Sequence, residues 1–212
     1  LFIGQERMSG FFIDDKKISD PMILADMQLA ANTPTDVIIF NIDAKSESDG
    51  KSNKDAIVNV FLKVFNNSLG FCGAIPYIAD LERRLTEDGK YEEFKTSYQK
   101  VTGHDWYEER HEFLSKQDGV VDALVDMGYM SEKAAWNWCD AAIGDYQISI
   151  EDFAKRVKSY IDRMGNNHHV VFLVDEIGQY IGDDSKLMLN LQTVTEELGR
   201  ECMGKAWIIV TS

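Results

Sequence analysis

Three short apolar runs punctuate this chain, Val37 to Ile42, Val170 to Val174 and Trp207 to Val210, each rich in β-branched residues and without polar alternation. That pattern predicts strands covered on both faces in a parallel sheet. Helical periodicity fills the intervals, and strands alternating with helices predict an α/β sheet with right-handed crossovers. Asp20-Pro21 supplies an N-cap and a proline at the first helical position, so a helix is expected from Pro21 to about Ala31, ended by Thr33-Pro34. The next begins near Ser52 and places Ile57, Phe61, Val64 and Phe65 on one face.

Residues 44 through 169 separate the first strand from the second, where a simple crossover needs only about a dozen residues, so an insertion is expected. It reads as a series of amphipathic helices: Tyr77 to Leu85, Tyr91 to Lys100, Trp106 to Leu114 and Val120 to Met127, then one capped by Ser131. A last one is opened by the capping box Ser149-Ile150-Glu151-Asp152, presents Phe153, Val157, Tyr160 and Met164, and stops at Gly165. The expected division is a core segment over residues 1–69, a helical insertion over 70–165 and a return to the core over 166–212. The chain opens on Leu1 rather than Met and stops at Ser212, directly behind the apolar run Ala206 to Val210. It is therefore read as a piece of something longer.

Composition narrows the function classes. With 212 residues, 44% hydrophobic and 27% charged, the chain has the balance of one large folded domain. A formal charge of -14 argues against a DNA-binding face unless Lys and Arg are strongly clustered. Cys72, Cys139 and Cys202 are odd in number and outside any C-x-x-C spacing, so neither a disulfide framework nor a zinc site is indicated and a reducing cytoplasm fits best. No apolar run approaches the roughly 20 residues of a membrane helix.

The most informative stretch is His169-Val170-Val171-Phe172-Leu173-Val174-Asp175-Glu176, an apolar strand from whose carboxyl end two acids emerge. Open α/β sheets bind their ligands at that end. In phosphoryl-transfer sites the first acid of such a pair helps hold magnesium and its water shell, and the second can polarise an attacking water. The plainer alternative is an acidic turn after a buried strand. Gly50-Lys51-Ser52 stands where a phosphate cradle G-x-x-x-x-G-K-[ST] belongs, after a strand and before a helix. The first glycine of that pattern falls on Lys45, and Glu47 and Asp49 would face the phosphates, so an Asp-Gly turn with Ser52 and Asp55 as a capping box is preferred.

Thr211-Ser212 ends the third strand, and such hydroxyls can bond a water or a γ-phosphate oxygen, although a helix N-cap is their usual role. Asn41 could restrain Glu176 if the first two strands were adjacent; otherwise it is an ordinary strand-end amide. His104 and His111 lie seven apart without a third ligand at metal spacing, and His168 precedes His169, so these two point to opposite sides of a strand. Trp106, Tyr107, Trp136 and Trp138 sit on amphipathic helices and read as core rather than as a base-stacking platform. Arg200 and Lys205 are either cations at a helix C-terminus, the preferred reading, or an arginine finger.

The stretch from Val170 through Ser212, with PTDVIIFNID at Pro34 to Asp43 and KDAIVNVFLKVFN at Lys54 to Asn66, resembles the large P-loop ATPase of bacterial BREX phage-resistance systems, the BrxC/PglY family. Ile78-Ala79-Asp80-Leu81-Glu82-Arg83, within the insertion, is similar too. The resemblance implies a partial P-loop NTPase, AAA+-like parallel sheet with a large helical insertion. Val37 to Ile42 would be the second core strand, Val170 to Asp175 the Walker B strand and Trp207 to Ser212 the sensor-1 strand. Carried over, Asp175 is the magnesium-associated acid, Glu176 the water-activating acid, and Thr211 or Ser212 the γ-phosphate sensor. ATP and Mg2+ are the implied cofactors of the full-length protein, whose phosphate loop the family places upstream of residue 1. The implied partners are other BREX components, a DNA methyltransferase and a phosphatase-like protein among them. A rival expectation keeps the fold but makes the chain a non-catalytic interaction module, with the insertion as its docking surface.

Overall fold

The computed structural model describes residues 2–3, 6–7, 18–42, 56–142, 146–165 and 167–211. Lys45, Glu47, Asp49, the Gly50-Lys51-Ser52 segment, Asp55 and Ser212 lie outside them. The chain is mixed α/β, mostly helical, around a three-stranded parallel sheet. Near the start, Phe2–Ile3 and Glu6–Arg7 form a two-residue antiparallel pair. The sheet strands are β1 (Thr35–Asn41), β2 (His169–Asp175) and β3 (Ala206–Val210), in that spatial order. Register sets Asn41 against Asp175 and Val174 against Val210, so all three carboxyl ends lie along one edge.

The apolar runs become strands, but their two faces have different fates. Ile38, Phe40, Val170, Phe172 and Val174 are buried on one face, whereas Val37, Ile39, Trp207 and Ile209 are 49%, 66%, 56% and 49% exposed. This departs from the expectation of strands covered on both sides. Among the described residues, the helices contributing to the sheet's core are α2 (Ala56–Ser68), α8 (Ile150–Met164), α10 (Ser185–Glu201) and the short helix Ile177–Ile181, all in one cluster with the buried face of the sheet. A β-branched run has the same composition whether its second face is covered or open, so continuity of apolar residues does not count the layers.

Phe61 of α2 is the hub of that core. Its ring meets Phe40 at 5.4 Å nearly edge-on and Phe172 at 5.2 Å, and Phe153 of α8 at 6.3 Å. Ile57, Phe61, Val64 and Phe65 are buried, as their helical spacing predicts. Helix α1 (Pro21–Asn32) starts on its expected cap, with the Asp20 carboxylate accepting from the Met22 and Ile23 amides, yet it has no buried residue. Helix α8 is capped by Ser149, whose hydroxyl accepts from the Asp152 amide at 3.0 Å. Ser149→Ala is expected to cost about 1 kcal/mol, read as a lower urea midpoint.

The helices between α2 and α8 are α3 (Pro76–Glu87), α4 (Tyr91–Thr102), the single turn α5 (Trp106–Glu109), α6 (Gln117–Asp126) and α7 (Glu132–Ala142). The predicted Trp106 to Leu114 helix is broken: after α5 the chain tightens into a 3₁₀ segment, Arg110–Ser115, with Glu112 at φ -99°, ψ 17°. These elements enclose a second core of Ile78, Leu81, Leu85, Phe94, Trp106, Phe113, Leu124 and their neighbours. Trp106 is buried in it and Trp136 and Trp138 pack against it, as expected of core aromatics, whereas Tyr107, expected with them, is 42% exposed. Helix α8 contributes Phe153, Ala154, Val157 and Ile161 to the sheet's core instead.

One carboxylate organises the second core. Glu82 of α3 is fully buried. Its Oε2 accepts from the Cys72 amide at 2.6 Å, and its Oε1 accepts from Tyr91 Oη and Trp106 Nε1 at 2.8 Å each and from Arg110 at 3.0 Å. A buried carboxylate is tolerated when it is paired and hydrogen-bonded, and here Arg110 pairs with it and both oxygens accept. Burial and the adjacent Glu82 hold the Tyr91 phenol far above its usual range, so it remains a donor. No described helix is long and apolar enough to cross a membrane.

Candidate functional site

Strand β2 runs between its two neighbours and delivers Asp175 to the carboxyl edge of the sheet. The next residue, Glu176, sits at φ 59°, ψ 27°, a left-handed conformation that costs a non-glycine residue about 1–3 kcal/mol. This kink ends the strand and starts the short helix α9 (Ile177–Ile181), whose Tyr180 amide donates to the Glu176 carbonyl at 3.2 Å. The Glu176 side chain reaches β1, where Asn41 Nδ2 donates to Glu176 Oε2.

The other neighbour supplies Thr211. Its amide donates to the Val174 carbonyl at 2.9 Å and its carbonyl accepts from the Ile177 amide at 3.3 Å, so main-chain bonds pin it beside the acids. Thr211 Oγ1 donates to Asp175 Oδ1, which also accepts from the Glu176 amide at 3.0 Å. Asp175 and Thr211 are exposed and Glu176 is half-buried. The structure thus brings together Asp175, Glu176 and Thr211, and adds Asn41 because β1 and β2 are adjacent.

Chemically, the edge presents two carboxylates, one of them open to solvent, and a hydroxyl whose proton is already committed. These are hard oxygen donors of the kind magnesium takes, and magnesium commonly binds through one or two carboxylates together with waters and substrate phosphates. Asp175 fits the carboxylate part of such a site. Glu176 is tethered on one oxygen, Oε2, by the neutral amide of Asn41. No trio of His, Cys, Asp or Glu among the described residues is placed to hold a metal ion by itself.

The remaining candidates take structural positions. Arg200 pairs with Glu197 and, at 3.5 Å, with Glu201 in the last turn of α10, which is the helix-end role preferred from the sequence. His111 Nδ1 lies 3.6 Å from Cys72 Sγ, and His104 Nδ1 lies 3.6 Å from Glu109. His168 is buried at the opposite, amino edge of the sheet with its Nε2 2.9 Å from Asp36, whose carboxylate also accepts from Tyr160 Oη. All three cysteines are buried and unbridged, and burial pushes the Cys139 and Cys202 thiols up to about 11. Neither is a thiolate at neutral pH. The Glu82 network was missed from sequence; its one signal was an acid at a position the α3 periodicity assigns to the core.

No protein-family model matches the chain, and no solved structure matches it.

Proposed function

We propose that the chain is a segment of an ATPase that couples ATP hydrolysis to a conformational step in a bacterial phage-defence (BREX) complex. The observation that carries this reading is the placement of Asp175 and Glu176 at the carboxyl end of the middle strand, flanked by Asn41 on one side and Thr211 on the other. The resemblance to the BrxC/PglY family supplies the reaction and the context. Asp175 would help hold Mg2+, which supplies charge neutralisation for the phosphates when bound. Glu176 would take the proton of the attacking water. Thr211, with Ser212 beside it in sequence, would report the γ-phosphate to Asp175 through its hydroxyl. The implied partners are the methyltransferase and the phosphatase-like protein, and the formal charge of -14 turns this segment away from DNA.

A second reading, a non-catalytic interaction module on a retained P-loop NTPase fold, is favoured by the open apolar sheet face at Val37, Ile39, Trp207 and Ile209. Titration calorimetry of the full-length protein with Mg-ATP, followed by a turnover assay, separates the two. Saturable binding with hydrolysis is expected; no saturable binding, or binding without turnover under any partner condition, would favour the module. Asn41→Ala tests the tether. It removes the lateral hold on Glu176 and is expected to raise basal hydrolysis with KM little changed, whereas a fall in turnover would mean that Asn41 aligns the base.

A further inference from the structure

In a strongly acidic chain, the seam between the two cores gathers positive charge. A cavity of 430 Å³ opens there between α3 and α8, with Tyr146 and Ile148 among its lining residues. This lies within the roughly 300–1,000 Å³ range of small-molecule sites. Asp152, Lys155, Arg156 and Ser159 line the α8 wall at helical spacing, so one face of that helix looks into it. Arg83 and Glu87, one turn apart on α3, form the facing wall.

The charges in this seam do not balance. Arg156 grips both oxygens of Asp80 at 2.6 and 2.8 Å, with Tyr146 Oη on the same carboxylate at 2.7 Å. Glu87 is taken by Arg163 at 2.6 Å. Arg83 donates to the neutral Asn66 Oδ1 through one guanidinium nitrogen and has a carboxylate only at 3.9 Å, from the Asp80 that Arg156 already holds, although its side chain is 11% exposed. Its Nε is buried without a hydrogen-bond partner, and its guanidinium lies over the Phe71 ring at 5.2 Å. Burial, then the neighbouring Arg156 charge, depresses the affinity of Arg83 for its proton. Lys155, at the rim, has Asp152 only at 3.6 Å. Among the described residues the seam sets Arg83, Lys155, Arg156 and Arg163 against Asp80, Glu87 and Asp152, one cation in excess.

We propose that this seam binds a small molecule bearing a phosphate group, held by Arg83, Arg156 and Lys155 with the Ser159 hydroxyl. An incoming oxyanion would supply the missing negative charge, and the mixture of guanidinium, ammonium and hydroxyl donors on two walls suits a tetrahedral oxyanion better than a planar carboxylate. Occupancy would link α3 to α8, and so the helical core to the sheet's core. The inference stands independently of the ATPase reading, whose residues lie elsewhere.

Pyrophosphate without divalent metal is the probe, titrated into the full chain by calorimetry, with amide hydrogen exchange to locate it. Saturable binding is expected, with slowed exchange in α3 and α8. The rim variant K155A/S159A alters two exposed positions and should keep the wild-type circular dichroism spectrum while binding about tenfold more weakly, as for loss of a hydrogen bond to a charged group. Glu176→Gln should leave the pyrophosphate affinity unchanged. Absence of saturable binding, unchanged affinity in K155A/S159A, protection at residues 175–177 instead of the seam, or equal binding of acetate would each overturn the proposal.

Discussion

On the ATPase reading proposed above, Glu176→Gln is expected to leave nucleotide binding by the full-length protein largely intact and to lower turnover roughly 10²-fold or more, the usual scale for loss of a positioned general base. The substitution is informative because it changes little else. Glutamine keeps an acceptor oxygen for Asn41 Nδ2, so the lateral tether survives, and it occupies the left-handed position at φ 59° with the same backbone cost. Asp175 and its bond from Thr211 are untouched. What disappears is the ability to take a proton. Single-turnover hydrolysis beside a binding isotherm reads the two effects separately, and unchanged hydrolysis would remove Glu176 from the role.

Glu82→Ala should destabilise the helical core by about 3–5 kcal/mol, the range for leaving one partner of a buried ion pair uncompensated. Truncation strips the acceptor from the Cys72 amide, from Tyr91 Oη and from Trp106 Nε1, and leaves the Arg110 side chain, 15% exposed, facing a void. Glu82→Gln keeps the shape and one acceptor oxygen and should fall between the two. Urea denaturation followed by tryptophan fluorescence measures this, since Trp106 is fully buried and Trp136 and Trp138 pack around the same core. A loss below about 1 kcal/mol in Glu82→Ala would show that the carboxylate is a tolerated passenger rather than the organiser of the core.

The physical scale of each interaction decides how much of this was legible beforehand. Caps, helix faces and strand runs depend on residues a few positions apart, and Asp20, Ser149, the Ile57-Phe61-Val64-Phe65 stripe and the three strands all appear near where local pattern placed them. The acids at the end of β2 belong to that class, because a continuous apolar run that crosses the sheet as a strand places the polar residues at its end along the carboxyl edge. The fate of the Trp106 to Leu114 segment does not: its helical periodicity continues through Glu112, but the backbone tightens there into a 3₁₀ segment. Periodicity alone does not distinguish the two helix types over six residues.

What the amino-acid order settled here is therefore most of the elements and the two acids at the end of β2. Three things needed the folded chain. Asn41 meets Glu176, 135 positions away, because β1 and β2 pair in parallel with Asn41 opposite Asp175. Among the described residues, helices pack on one face of the sheet and leave Val37, Ile39, Trp207 and Ile209 exposed on the other, because α2, α8, α9 and α10 contribute to the same core. Glu82 and the Arg83–Arg156 seam acquire their meaning from partners on other helices. Pairing and burial between distant segments cost chain entropy that only the whole set of contacts repays, so no local window of sequence encodes them.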